Sequence, residues 1–128
     1  MIESSVPYFA VIFTSTRRAV EGDGYPEMAA RMDALAHEQP GFVGIDSVSS
    51  LVQDATPETP WQIRSGITIS YWKDEDAIRN WKSNLEHLLA QKLGKKTWYL
   101  RYDVRVARVE RAYSGGSEEA PSMSVSNT

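Results

Sequence analysis

The chain is predicted to be an α+β protein of the ferredoxin-like kind, with an antiparallel sheet carrying both helices on one face. Three observations predict it. Four segments rich in β-branched and aromatic residues alternate with two amphipathic helical stretches in the order β-α-β-β-α-β. The second and third strands are joined by a short polar loop, as in an antiparallel hairpin. The chain has 128 residues, of which 41% are hydrophobic. That suits one domain with a substantial core.

The first strand is "YFAVIFTST" (8–16), a continuous apolar run of the kind found in a buried central strand. "RRAVEGDGYPE" then turns the chain. Gly22, Asp23 and Gly24 break the strand, and Pro26 suits the first turn of a helix. Met28, Met32, Leu35 and Ala36 recur at helical spacing, giving a helix over 26–38 that "QPG" stops. "FVGIDSVSSLV" (42–52) is the second strand, with Gly44 marking a bulge or a close backbone approach. After the loop "QDATPETP" comes the third strand, "WQIRSGITISYWK" (61–73), on which Tyr71 and Trp72 should face opposite sides of the sheet.

The clearest helix is 73–94. Asp74 is its N-cap, Glu75 and Asp76 favour its start, Lys92 its end, and Gly94 terminates it. The last strand, "TWYLRYDVRVARVERAY" (97–113), alternates Leu100, Tyr102, Val104 and Val106 with Arg101, Asp103 and Arg105. Its apolar phase then shifts to Ala107 and Val109, as a bulge would make it do. Residues 1–7 form an N-terminal extension, 8–113 the folded domain, and 114–128 a tail without core residues, expected to be disordered. Strands 1 and 3 are apolar on both phases, so the face away from the helices also needs a cover. No spare element supplies it, and a homodimer is expected.

Composition narrows the function. Net charge is −3 without a basic block, which argues against nucleic acid or an anionic membrane as partner. No cysteine is present, so disulfides, thiolate nucleophiles and Cys-ligated metals are excluded. Two histidines, His37 and His87, are too few for a His-rich metal site within one chain. No carboxylate spacing suggests magnesium or calcium. The N-terminus lacks signal-peptide features, and no apolar run reaches the roughly 20 residues of a membrane helix. A cytoplasmic home is expected.

The second helix raises the functional question. Asn80, Asn84, His87 and Gln91 stand at i, i+4, i+7 and i+11, an uncharged polar stripe beside the apolar face that includes Trp81. Such a stripe is either a solvated helix border or the shoulder of a pocket, where neutral groups bind ligand oxygens without the desolvation cost of a charge. Trp81 and Trp72 likewise suit either a core or an aromatic wall against which a planar ligand stacks. His87 is either a surface bystander or a general base active near neutral pH. Arg64, Arg101, Arg105, Arg108 and Arg111 read first as members of cross-strand or intersubunit ion pairs, and second as binders of an anionic substrate.

The stretches "AVIFTS", "QPGFVGIDSV", "GITISYWKDEDAIRNWK" and "WYLRYDVRVARVER" resemble the antibiotic biosynthesis monooxygenase (ABM) domain family of dimeric α/β-barrel proteins, over about residues 8–113. The resemblance implies a homodimer with a ligand pocket between sheet and helices, Trp81 matching a pocket-lining tryptophan. It implies oxidation of a planar aromatic or quinol-like molecule by O2, with no metal or flavin. On that reading His87 is the base and Asn84 the hydrogen-bond donor to the substrate. Trp81, Trp72, Asn80, Gln91 and Thr14 contact the substrate. Haem binding or degradation is the alternative, against which two departures stand. The family's axial histidine position is Gln91 here, and strand 1 offers Thr14 and Ser15 rather than asparagine. A non-enzymatic small-molecule-binding dimer is the third reading.

Overall fold

The computed structural model of the chain describes residues 5–93 and 98–117, and the side chains of 87–93 fall outside that description. The elements are β1 (Tyr8–Ala19), α1 (Tyr25–His37), β2 (Phe42–Gln53), β3 (Gln62–Trp72), α2 (Glu75–Leu93) and β4 (Tyr99–Val109). They form one antiparallel sheet in the order β2-β3-β1-β4. This is the ferredoxin-like arrangement expected, left open at β2 and β4.

Strand ends depart from the sequence reading because partners, not composition, set them. β1 runs on through Arg17, Arg18 and Ala19, since Arg64, Ile63 and Gln62 of β3 pair with them. β4 stops at Val109, which pairs with Tyr8, the first residue of β1. Residues 110–113 have no strand beyond Tyr8 to pair with. The bulge expected near Ala107 is not there. The β1–β4 register is unbroken from Arg101 to Val109, and the irregularity lies opposite Thr16 and Arg17, around Leu100. The apolar shift to Ala107 and Val109 is a change of face, toward buried Ala10 and Tyr8. The bulge beside Gly44 is present: Phe42 pairs with Trp72 and Gly44 with Tyr71, leaving Val43 extra. Of the expected tail, 114–117 are exposed and the rest lies outside the described residues. So does Gly94, the expected helix stop.

Both helices pack on the same face. Ala36 of α1 and Ala77, Ile78 and Trp81 of α2 enclose Val11 and Trp72, with Phe9, Met32, Leu35, Phe42 and Leu85 around them. Asp74 Oδ1 accepts the Ala77 amide at 2.9 Å. A side-chain N-cap of this kind contributes about 1 kcal/mol. At the far end of α1, His37 Nδ1 donates to the Asp33 carbonyl at 2.8 Å.

The opposite face carries Tyr8, Ala10, Ile12, Thr14 and Thr16 of β1, by alternation from Phe9 and Val11. Cross-strand partners share a face, so Ile63, Ile67, Ile69, Tyr71 and Val48 lie there too. Tyr71 and Trp72 thus face opposite sides. The Tyr71 hydroxyl donates to Asp46 at 3.2 Å, and its pKa is raised by burial and by that carboxylate.

Candidate functional site

Trp72 ends β3 and Trp81 sits two turns into α2. Trp72 is fully buried, and its indole Nε1 donates to the buried Ser70 hydroxyl at 2.8 Å. A buried indole N–H needs such a partner. The two indoles stack at 5.6 Å with planes 26° apart, and Phe42 meets Trp72 edge-on at 5.5 Å. The pair therefore forms the inner wall of the helix–sheet layer, with Trp81 6% exposed.

The polar stripe of α2 points toward the end of α1. Asn84 Nδ2 donates to Gln39 Oε1 at 3.1 Å and to the Asn80 carbonyl at 3.0 Å. Gln39 in turn donates to the Leu35 carbonyl at 3.1 Å. Both amide hydrogens of Asn84 are thereby engaged, and its carbonyl oxygen is what this conformer offers a ligand. Asn80 is exposed on the same shoulder. His87 and Gln91 continue α2, but their side chains lie outside the described residues. Thr14 stands on the opposite face of the sheet from Trp72 and Trp81, between Ile67 and Asp103. Within one chain it is not part of their site, because strand alternation turns its neighbours Phe13 and Ser15, not Thr14, toward the helices.

An aromatic cluster on the helix side went unrecognised in the sequence. The Phe13 ring lies 5.3 Å from Tyr99 and 5.4 Å from Tyr102, and Tyr25 of α1 meets Tyr99 edge-on at 5.9 Å. The Tyr99 hydroxyl donates to that of Tyr25 at 3.4 Å. Burial, with Tyr25 adding to it, pushes the Tyr99 phenol well above its ordinary pKa. It stays a neutral donor. From Tyr102 of that cluster the helix side of β4 continues through Val104 and Val106, the three paired with Ser15, Phe13 and Val11. These three are 51%, 51% and 53% exposed. An apolar strip thus lies uncovered on the face that elsewhere forms the core.

Among the described residues no group of His, Asp and Glu is arranged to hold a metal ion. No described helix is long and apolar enough to cross a membrane.

No family model matches the chain. Solved structures of similar fold include protein SO0527 from Shewanella oneidensis, 12% identical, covering 85% of this chain and 97% of that one with a TM-score of 0.52. They also include SnoaB, a cofactor-independent oxygenase from Streptomyces nogalater, 19% identical, covering 85% and 97% with a TM-score of 0.48. A candidate antibiotic biosynthesis monooxygenase from Bacillus cereus is 16% identical, covering 87% and 99% with a TM-score of 0.47. At 12% identity the likeness to protein SO0527 is one of fold alone. Sequence places the chain more narrowly. It belongs to the family of the uncharacterized protein YqjZ of Bacillus subtilis, with 45% identity over 106 residues and 82% of each chain covered.

Proposed function

We propose that the chain is a homodimeric, cofactor-independent monooxygenase acting on a planar aromatic or quinol-like molecule bound on the helix side of the sheet. The observation that carries this reading is the uncovered strip Tyr102–Val104–Val106 beside the Phe13–Tyr99 rings. Apolar surface left open inside a fold, next to aromatic rings, suits a flat apolar ligand. Trp81 and Trp72 form the inner wall, and Asn80 and Gln91 line the polar shoulder. Asn84 hydrogen-bonds the substrate oxygen after releasing Gln39, exchanging one neutral hydrogen bond for another. His87 is the base.

For an anthrone-like substrate the step balances without a further reductant. His87 takes a proton from the ring CH2 opposite the carbonyl, and the negative charge spreads through the rings onto the carbonyl oxygen. The carbanion gives one electron to O2, and radical and superoxide combine with a proton to a hydroperoxide. Loss of water leaves the quinone carbonyl, with one oxygen atom in product and one in water. Oxygen uptake with anthrones and hydroquinones tests the reading, and Trp81→Phe should bind such ligands several-fold more weakly while folding normally. Saturable ligand binding with no oxygen uptake makes the protein a binding module. A sharp haem Soret band at one per chain, absent in His87→Ala, makes it a haem protein. A Trp81→Phe variant that binds as tightly as the parent removes the tryptophan from the site.

A second copy covers the opposite face on this reading. Val48 and Ile67 are 67% and 42% exposed there, on the same face as Ile12, Ile63 and Ile69. Sedimentation equilibrium should return twice the 14.4 kDa chain mass. A monomer at micromolar concentration overturns the dimer.

A further inference from the structure

The geometry points to a second ligand site, for the carboxylate or phosphate group of a small molecule, in the cavity between the β1–α1 turn and the β2–β3 loop. The cavity has a volume of about 470 Å³ and is lined by Arg17, Arg64 and Gln62 from the strands, Glu21 and Asp23 from the turn, and Pro26 from the start of α1, among others. That volume is in the range of small-molecule sites. Nothing in the proposed oxygenase reading uses it.

Arg17 and Arg64 are direct partners across β1 and β3, on the helix side of the sheet. Like charges in that position repel unless each is balanced. Arg17 is balanced: Asp23 Oδ2 lies 4.0 Å away, and the guanidinium sits 3.7 Å over the Tyr25 ring. The Asp23 carboxylate is further held by the amides of Val20 (3.1 Å) and Tyr25 (2.9 Å), which fix the turn. Arg64 is different. Its polar contact among the described residues is the Ser49 hydroxyl at 3.5 Å, and no described carboxylate is within ion-pair distance of it. Glu21 lines the same cavity without pairing to it. Gln62 is turned to Asp54, donating at 3.1 Å. An arginine fork with most of its donors unused therefore lines the cavity, beside a second guanidinium that Asp23 already balances. A planar carboxylate or a phosphate accepts two parallel N–H bonds from such a fork.

The ligands to use are inorganic phosphate and benzoate, each titrated into 15N-labelled full-length protein, with sodium chloride at matched ionic strength as control. Saturable shifts at the Arg64 Nε–H and at the amides of 17–21 and 62–64 are expected for at least one anion and not for chloride. Saturation by phosphate alone assigns a phosphoryl ligand, and by benzoate alone a carboxylate. Arg64→Gln should weaken binding at least ten-fold and leave the oxygen-uptake activity of the parent, where there is any, unchanged. Arg79→Gln, on exposed α2, should bind as the parent does. If Arg64→Gln does not fold, Arg64→Lys replaces it: it keeps the charge, loses the fork, and should still bind less tightly. Shifts that match chloride, or that persist undiminished without the Arg64 fork, overturn the site.

Discussion

Trp72→Ala should destabilise the fold by roughly 3–5 kcal/mol, the range for removing a buried tryptophan that leaves a cavity its surroundings fill only in part. Trp72 is 0% exposed, and four other elements meet around it: Phe42 of β2 edge-on, Trp81 of α2 in a stack, and Val11 of β1 and Ala36 of α1 in the same cluster. The indole also supplies the donor for Ser70, 5% exposed on the same strand. Trp72→Phe separates the two contributions. It keeps an aromatic ring for Phe42 and Trp81 but leaves the Ser70 hydroxyl without its indole partner, so about 1–3 kcal/mol is expected. Urea unfolding followed by far-UV circular dichroism, at one protein concentration, measures both. With total stabilities of roughly 5–15 kcal/mol in domains of this size, the alanine variant should lose a large part of its folding free energy. A loss below 1 kcal/mol would mean that the indole is not the centre of the layer.

The same residue shows what could be read in advance. Trp72 follows Tyr71 at the end of an apolar strand and precedes a capped helix, so its place in the fold follows from local pattern alone. Element order and type were legible for that reason: each periodic run is bounded by its own breaker, such as Gly22–Asp23–Gly24 or Pro40–Gly41. What pattern does not carry is pairing. Ala19 ends β1 and Val109 ends β4 because of where Gln62 and Tyr8 stand across the ladder. The confrontation of Arg17 with Arg64 appears only once that register is known. The polar stripe of α2 was visible as a stripe, but the partner of Asn84 is Gln39, 45 residues away. Phe13, Tyr25, Tyr99 and Tyr102 belong to three elements and become one aromatic cluster only through the β1–β4 pairing and the angle at which α1 leaves its turn.

Gly41→Ala should cost roughly 2–4 kcal/mol. Two effects combine. The backbone at Gly41 has φ +82°, a left-handed conformation that strains a residue with a Cβ by about 1–2 kcal/mol. A Cβ there would also lie 2.7 Å from that of Ala77, closer than two such carbons approach. Neither side yields easily. Ala77 is a buried residue in the first turn of α2, held by the Asp74 cap. Gly41 is tied by its carbonyl to the Lys73 amide at 2.7 Å, and its neighbour Phe42 donates to the Gln39 carbonyl at 3.2 Å. Relief therefore requires the start of α2 to move off the sheet, an overpacking cost of roughly 1–3 kcal/mol. Gly22→Ala is the control, because Gly22 has φ +79° with nothing within 4 Å of the added methyl. It carries the strain without the collision, about 1–2 kcal/mol. Gly41→Ala combined with Ala77→Gly removes the collision at the expense of a helical glycine, about 1 kcal/mol by itself. The double variant should be no less stable than Gly41→Ala alone, whereas independent sites would make it less stable by the full glycine cost. If the two losses simply add, the contact between the α1–β2 turn and the first turn of α2 is not what selects glycine at position 41, and backbone conformation alone does.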